Sequence, residues 1–288
     1  MNDALVTLRQ KSPALSTSEL RVAEAVLHDP DIVVTSTITQ LATRCGTSPG
    51  TVARLCRAVG YSGYKEFRIA IASAVGREQE NQASFQVSDA RIGAGDSAAE
   101  VIAKVAYQES RAIEETARLI DVEALDAVVE ALTSARRVDI FGAGSSGLAA
   151  QDLQVKLHRI GIPSICWSDA HLALTSVAIT APDSLALAIS HSGTTRECVE
   201  FLELAQDRRA TTAAITGFPE SPVADHADHV LATATHDSGV RAGAMSSRIA
   251  QMAVIDFILV RLVQRDMGGA DSRLRASYSA VQGHRIKY

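Results

Sequence analysis

The second half of the chain alternates short apolar runs with helical patterns, and this alternation restricts the possible folds most. The apolar runs cover residues 138–141, 164–166, 185–189, 212–215 and 229–231. Strands separated by helices favour a parallel, doubly wound sheet flanked by helices. Ligands of such sheets bind at the carboxyl ends of the strands. We therefore predict an α/β domain with its binding site at that edge.

Two polar loops follow the first and third of these runs, with the sequences Gly-Ala-Gly-Ser-Ser and Ser-His-Ser-Gly-Thr-Thr. Backbone N–H groups at a helix N-terminus attract an anion, and hydroxyls add donors without adding charge. We predict that the two loops bind one phosphate group. The candidate residues are Gly144, Ser145, Ser146, Ser190, His191, Ser192, Gly193 and Thr195. His191 would contribute either its side chain or only its backbone to this site. The alternative for both loops is that their serines merely cap helices and bind no phosphate.

The first loop also matches the dinucleotide pattern G-x-G-x-x-G through Gly142, Gly144 and Gly147. The candidate for the acid that would bind the ribose is Asp169, which we expect beyond the end of the second strand. A P-loop is excluded, because Ser-Gly-Leu stands where Gly-Lys-Ser/Thr is required. The hydroxyls of the second loop suit a terminal phosphate better than a ribose diol. We therefore expect no cofactor and no metal.

The first half of the chain contains the pattern of a helix-turn-helix. Ser16-Thr-Ser-Glu19 is a capping box, and a helix of about three turns follows it up to Asp29-Pro30. A short helix over 37–42 and a helix from Pro49 to about residue 58 are joined by a turn that contains Gly46. The pattern places Val52, Leu55, Cys56 and Val59 inward and Gly50, Thr51, Arg54 and Arg57 outward. A helical hairpin of a protein–protein module is the alternative.

In a helix-turn-helix, the first residues of the second helix reach base edges in the major groove. The residues so placed are Ser48, Gly50, Thr51 and Arg54. Phosphate contacts position a protein without reading sequence. The candidates for such contacts are Thr39, Gln40, Arg44 and Arg57.

The net charge of −5 is unevenly distributed along the chain. Residues 1–77 carry nine basic and six acidic residues, so this segment has a charge of +3 and the remainder −8. This asymmetry is typical of a nucleic-acid-binding head on an acidic body. The chain start lacks the pattern of a signal peptide, and the strongest apolar run, 252–263, is interrupted by Asp256 and Arg261. We expect a soluble cytoplasmic protein that does not contact a membrane.

We predict four segments: a helix-turn-helix domain over 1–77, a linker and connecting helix over 78–120, the α/β domain over 121–266, and a tail over 267–288. Residues 78–96 show little periodicity and several turn formers, whereas 97–120 has a helical pattern. A last long helix is predicted over 242–265. The four cysteines are widely spaced without a C-x-x-C pair, which indicates structural thiols.

Together, these motifs resemble the RpiR family of bacterial transcriptional regulators, which join an all-α helix-turn-helix head to a sugar isomerase (SIS) domain of the α/β class. The resemblance rests on residues 15–23, 46–56 and 60–67 of the head. In the body it rests on both polar loops and on residues 152–153, 156–157, 159–161 and 247–251. It implies that a sugar phosphate binds the SIS domain and changes operator affinity, often for genes of carbohydrate catabolism. Residue by residue, it implies phosphate contacts from Ser145, Ser146, Ser190, Ser192 and Thr195, with Ser247 as an addition.

Isomerases with the SIS fold also resemble this region, and some place a catalytic glutamate just before the final long helix. This chain has Arg241 near that position, and Asp237 is the nearby alternative carboxylate. We therefore expect a regulator without enzymatic activity, whose partners are double-stranded operator DNA, a sugar phosphate and further copies of the chain in a homodimer or homotetramer. The alternatives are a sugar-phosphate isomerase or lyase with an appended head, and a nucleotide-binding interaction protein.

Overall fold

The computed structural model describes residues 3–85, 87, 91–235 and 245–282. They form two compact units. The first unit comprises the described residues up to Leu119 together with Ala234 and Thr235, and the second comprises Ile120–Thr233 and the described residues from Met245 onward.

The first unit is helical throughout its described secondary structure. Its elements are α1 (Ala4–Lys11), a short 3-10 helix (Ser12–Ala14), α2 (Thr17–His28), α3 (Asp31–Thr35), α4 (Ile38–Arg44), α5 (Pro49–Ala58), α6 (Tyr64–Ser84) and α7 (Ala98–Leu119). The predicted helix-turn-helix is confirmed as α4 and α5. The turn between them contains Gly46 at φ +60°, a conformation that glycine adopts without steric cost.

Side chains cap the N-termini of α2 and α5, as the sequence predicts. Glu19 accepts a hydrogen bond from the Ser16 backbone at 3.2 Å, which completes the capping box of α2. The Ser48 hydroxyl accepts from the backbone N–H of Thr51 at 3.2 Å at the start of α5. Apolar residues of several helices then close one core, which includes Leu8, Val22, Val26, Leu41, Val52, Leu55, Cys56, Phe67 and Ile71.

The start of the predicted linker is helical, which corrects the prediction for residues 78–84. Helix α6 extends to Ser84 without a break. Within the first unit, Glu78 of α6 forms an ion pair with Arg111 and accepts a hydrogen bond from Tyr107, both on α7. These long-range contacts hold a polar segment in a helix, and the local pattern contains no signal of them.

The second unit is an α/β domain, which confirms the predicted fold class. Its elements are α8 (Val122–Ser134), β1 (Arg137–Gly142), α9 (Ser145–Arg159), β2 (Ser164–Trp167), α10 (Ala170–Val177), β3 (Ser184–Ser190), α11 (Arg196–Asp207), β4 (Thr211–Thr216), α12 (Pro222–Asp225), β5 (His229–Ala232), α13 (Met245–Arg265) and α14 (Met267–Val281). All five predicted strands are present. Residues 267–281, expected in a tail, form α14, and residues 242–244 of the predicted last helix lie outside the described residues.

The five described strands pair in parallel in the order β2-β1-β3-β4-β5. Both faces of the sheet are covered. Ile140, Leu153, Leu187 and Ile258 belong to the core between the sheet and α8, α9 and α13. Phe141, Ala188, Phe201 and Leu202 belong to the core on the side of α10 and α11. Because the chain runs in opposite directions along the sheet from β1 to β2 and from β3 to β5, the order reverses between β1 and β3, which is where such folds bind ligands.

No helix among the described residues is both long and apolar enough to span a membrane. The cysteines are free thiols, and Cys45, Cys56 and Cys198 are buried as expected of structural thiols.

Candidate functional site

The two predicted phosphate loops lie side by side at the carboxyl edge of the sheet. In the pairing of β1 with β3, Gly142 is opposite Ile189, so the residues that follow each strand are neighbours. The thiol of Cys198, in the first turn of α11, donates a hydrogen bond to the carbonyl oxygen of Ile189 at 3.9 Å. Burial raises the pKa of the Cys198 thiol to about 12, so this sulfur stays protonated at neutral pH.

The glycines of the first loop are required by close packing. A Cβ on Gly142 would lie 2.8 Å from the carbonyl oxygen of Ser146, and a Cβ on Gly147 would lie 2.8 Å from the carbonyl oxygen of Gly142. Gly144 has φ +57° and immediately precedes α9. The backbone of this loop therefore turns tightly onto the N-terminus of α9, where the N–H groups of Ser146 and Gly147 donate to the carbonyl oxygens of Ala143 and Gly144 at 3.2 and 3.0 Å.

Ser146 of the first loop is held by α13, the 21-residue helix of the second unit. The Nε2 atom of Gln251 on α13 donates a hydrogen bond to Ser146 Oγ at 3.0 Å. Gln251 is 1% exposed. Ser247, which is also buried, lies one helical turn before Gln251 on the same helix, so the structure places it on the side of α13 that faces this loop.

The second loop is built around hydroxyl groups. The Ser190 and Thr195 hydroxyls are 3.0 Å apart, and the Ser192 hydroxyl accepts from the Thr194 backbone N–H and hydroxyl at 3.3 and 3.1 Å. Gly193 has φ +65°, and a Cβ at this position would lie 2.0 Å from Ser221 Oγ. The loop thus presents hydroxyls at one end and is packed against α12 at the other.

The His191 ring packs toward the β4–α12 connection. Its Nδ1 would lie 2.7 Å from a Cβ on Gly217, and its ring centroid is 5.8 Å from that of Phe218. Nδ1 is buried and has no hydrogen-bond partner among the described residues, and burial lowers the pKa of the imidazole. The His191 carbonyl accepts from the Gly217 N–H at 3.0 Å. Of the two possibilities left by the sequence, this geometry favours a role for the backbone.

A cavity of about 300 Å³ adjoins the first loop on the side of β2 and α10. Its wall includes the glycines of the G-x-G-x-x-G pattern, Trp167 and Asp169. Asp169 lies beyond the end of β2, as predicted, and its Oδ1 accepts from the Leu172 N–H at 3.0 Å to cap α10. Sequence reasoning missed Gln151 and Glu197, which also line the cavity. The sequence signal for both was their position in the helices that follow the two loops, Glu197 in the first turn of α11 and Gln151 in the second turn of α9.

In the first unit, the exposed face of α5 carries most of the predicted DNA contacts. Ser48, Gly50, Arg54 and Arg57 are exposed, as are Thr39 and Arg44 on α4. The Arg54 guanidinium lies 3.5 Å from Glu19 of α2 and donates to the Thr51 hydroxyl at 3.2 Å.

Thr51 differs from the predicted arrangement, and Gln40 has a capping role in addition to the predicted one. Thr51, expected to face outward, is only 5% exposed, because the side chains of Ser48 and Arg54 both bond its hydroxyl and cover it. Gln40 is exposed, but its Oε1 accepts from the Thr37 backbone at 2.8 Å and thereby completes a capping box. The amide oxygen of Gln40 is thus engaged in capping the start of α4. Arg241 and Asp237, considered above as the site of a catalytic group, lie outside the described residues.

Comparisons with known proteins match both units. Residues 2–78 match the model of the helix-turn-helix domain, rpiR family, and residues 131–261 match the model of the SIS domain. An uncharacterized HTH-type transcriptional regulator of Caldanaerobacter subterraneus is 35% identical over 92% of this chain and 92% of the relative.

Two solved structures extend this likeness. The NanR protein of Vibrio vulnificus, complexed with ManNAc-6P, superposes with a TM-score of 0.62 at 26% identity, covering 98% of this chain and 100% of NanR. The sugar isomerase domain of an RpiR transcription factor from Sphaerobacter thermophilus gives a TM-score of 0.58 at 28% identity, covering 62% of this chain and 99% of that domain.

Proposed function

The chain belongs to the RpiR family of helix-turn-helix transcriptional regulators that carry a SIS domain, and we propose that it binds operator DNA through α5 and a sugar phosphate through its two polar loops. The observation that carries the proposal is the pairing of Gly142 with Ile189, which brings the loops after β1 and β3 together at the switch point of the sheet. The NanR structure, solved with a sugar phosphate, supports the same ligand class.

The phosphate is proposed to bind between the N-termini of α9 and α11. Its donors are backbone N–H groups and the hydroxyls of Ser145, Ser146, Ser190, Ser192 and Thr195, with Ser247 next to them. Neither loop contains a lysine or arginine. Because neutral donors exchange an anion more readily than a cluster of arginines would, such a site suits an effector whose concentration is being sensed.

On DNA, α5 is proposed to be the recognition helix. Arg54 and Ser48 would reach base edges, and the exposed cations Arg44 and Arg57 would contact phosphates. Thr51 acts here through Arg54, whose guanidinium it helps to position. A pair of heads from two copies of the chain would read a pseudo-palindromic operator, and this assembly is a dimer or a tetramer. The cytoplasm is the compartment in which such an operator is reached.

Ligand and DNA are proposed to be coupled. A coupling free energy of about 1–3 kcal/mol, typical of allosteric proteins, would change operator affinity about 5- to 150-fold, and DNA would change ligand affinity by the same factor.

A sugar-phosphate isomerase is the second candidate function, because Glu197 presents a carboxylate to the cavity beside the loops and could act as a base. The regulator is favoured because the closely similar relatives are named transcriptional regulators. Turnover of any hexose or pentose phosphate by the purified protein, abolished by Glu197→Gln, would support the isomerase instead.

The deciding experiment is fluorescence anisotropy of the full chain on DNA from upstream of its own gene, at fixed near-physiological salt, with a panel of sugar phosphates. Salt must stay fixed because phosphate contacts dominate affinity. Inorganic phosphate at equal ionic strength and a scrambled duplex are the controls. Tight binding over the scrambled duplex, shifted by one sugar phosphate, is the expected result. No preference for this DNA or for any operator selected from random sequence would contradict the proposal.

A further inference from the structure

The cavity beside the first loop has an acidic lining. Asp169 and Glu197 are its two charged residues among the described ones, and no lysine, arginine or histidine contributes to its wall. Asp169 is partly engaged as the cap of α10. Glu197 is exposed and makes no hydrogen bond or ion pair with any described residue, so its carboxylate is available to a ligand.

The remaining wall suits a sugar ring. The Trp167 indole is fixed by a hydrogen bond of 2.7 Å from its Nε1 to Asp139, so an amphipathic aromatic surface of fixed orientation borders the cavity. The Gln151 side chain, without a partner among the described residues, adds both a donor and an acceptor. One apolar plane with a few polar groups that fix orientation is the common composition of a small-molecule site.

We infer that this cavity receives the carbon end of the sugar phosphate, and that Glu197, with Asp169, selects neutral or amine-bearing sugars against sugar acids. This inference rests on the proposed function, since the phosphate must be held by the adjoining loops. Carboxylates accept hydrogen bonds from hydroxyl and ammonium groups but repel another carboxylate. A ligand with a second acidic group therefore meets repulsion where a neutral sugar gains hydrogen bonds.

The chain contains a single tryptophan, Trp167, so its fluorescence reports on this cavity alone. The full chain is titrated with inorganic phosphate, with neutral aldose phosphates, with each corresponding aldonate phosphate, and with NAD, and binding is measured in parallel by calorimetry. We expect Trp167 emission to change with the aldose phosphate that binds best, and not with inorganic phosphate. We expect the aldonate to bind at least about tenfold more weakly, the size of effect that one close like-charge pair produces at a protein surface.

Two variants on α11 distinguish the effect of the Glu197 carboxylate at the cavity from the effect of removing any negative charge from this helix. Glu197→Gln keeps the shape of the side chain and removes its charge, so the preference for the aldose over the aldonate should fall to about threefold or less. Glu203→Gln removes an exposed charge from the same helix outside the cavity wall and should leave the preference unchanged.

The possible failures are distinguishable. The inference is overturned by equal affinity for aldose and aldonate, by a preference that Glu197→Gln does not alter, or by calorimetric binding that leaves Trp167 emission unchanged. NAD that binds and changes the emission while sugar phosphates do not would identify a nucleotide site instead. If calorimetry detects neither sugar phosphate nor inorganic phosphate, the proposed function itself fails.

Discussion

The side chain of Gln251 donates a hydrogen bond to the hydroxyl of Ser146 at 3.0 Å. This contact joins α13 to the first polar loop. Because the amide N–H occupies a lone pair of the serine oxygen, the hydroxyl hydrogen remains free to donate elsewhere. A ligand phosphate at the α9 N-terminus is the proposed acceptor, which makes Gln251 a residue that positions a donor.

Replacing Gln251 by methionine preserves the volume but removes the donor. We expect sugar-phosphate affinity to fall about tenfold, the value of one hydrogen bond to a charged group, while DNA affinity without ligand stays unchanged. Calorimetry and anisotropy measure the two affinities. Gln264→Met, an exposed glutamine on the same helix, is the control. Unchanged ligand affinity in Gln251→Met would remove this hydrogen bond from the mechanism.

Ser192 presents a hydroxyl whose acceptor lone pairs are used by Thr194 within the loop. Its hydrogen is therefore available to an anion. Ser192→Ala should weaken sugar-phosphate binding about tenfold by calorimetry, and the melting temperature should change little because the residue is exposed. Ser134→Ala, at an exposed position at the end of α8, serves as the matched control. Equal affinities in both variants would exclude Ser192 from the site.

Arg54 is oriented on the exposed face of α5 by Glu19 and Thr51. If it contacts a base edge, Arg54→Ala should weaken binding to the operator by about 1–3 kcal/mol, or about 5- to 150-fold, and relax specificity at one base position. Ligand affinity should stay within about twofold, since the two sites lie in separate units. Arg118→Ala on α7 removes another exposed arginine of the first unit and should leave operator affinity intact. Equal losses from both arginine variants would indicate nonspecific electrostatics.

The Glu19 carboxyl in the capping box of α2 should make stability depend on pH. A hydrogen bond from the Ser16 hydroxyl lowers the pKa of Glu19 below its ordinary value of 4.5. A carboxyl whose pKa is lower in the folded state stabilises the protein above the ordinary value and loses that contribution as the pH falls through the lowered one. The free energy of unfolding of the wild type relative to Glu19→Gln should thus be constant above about pH 5. As the pH falls below 4.5, the wild type should lose stability relative to the variant. Denaturant titrations of both proteins measure it, and a difference that stays constant to pH 3 would contradict this assignment.

Local sequence patterns predicted the helices and strands whose start, end or burial depends on residues close together in the chain. The five strands follow from short apolar runs. Helices α4 and α5 follow from the pattern over 37–42, from Ser48 and Pro49 at the start of the second helix, and from Gly46 between them. The loops at the strand ends then follow from the rules of parallel sheets. What the patterns could not predict depends on contacts between distant residues. Helix α6 continues through Glu78 because α7 supplies Tyr107 and Arg111.

The site shows the same division between local and distant information. The hydroxyls of the second loop were evident from six consecutive residues, whereas Gln251 contacts Ser146 across 105 positions. Helical periodicity predicted that Thr51 faces outward, but the side chains of Ser48 and Arg54 hydrogen-bond its hydroxyl and cover it. Periodicity gives the direction of a side chain and carries no information about which neighbours cover it.

Two glycine-to-alanine substitutions should change stability in opposite directions. Gly193→Ala forces a Cβ into a residue at φ +65° and against Ser221 Oγ, so we expect a loss of about 1–3 kcal/mol from backbone strain, with further loss from the clash, and weakened ligand binding. Gly76 lies inside α6, where a Cβ meets no atom within 4 Å. Gly76→Ala should therefore stabilise the protein by about 0.5–1 kcal/mol, since alanine loses less entropy in a helix. Denaturant unfolding measures both, and destabilisation by both substitutions to the same extent would show that the backbone of the second loop is not specially constrained.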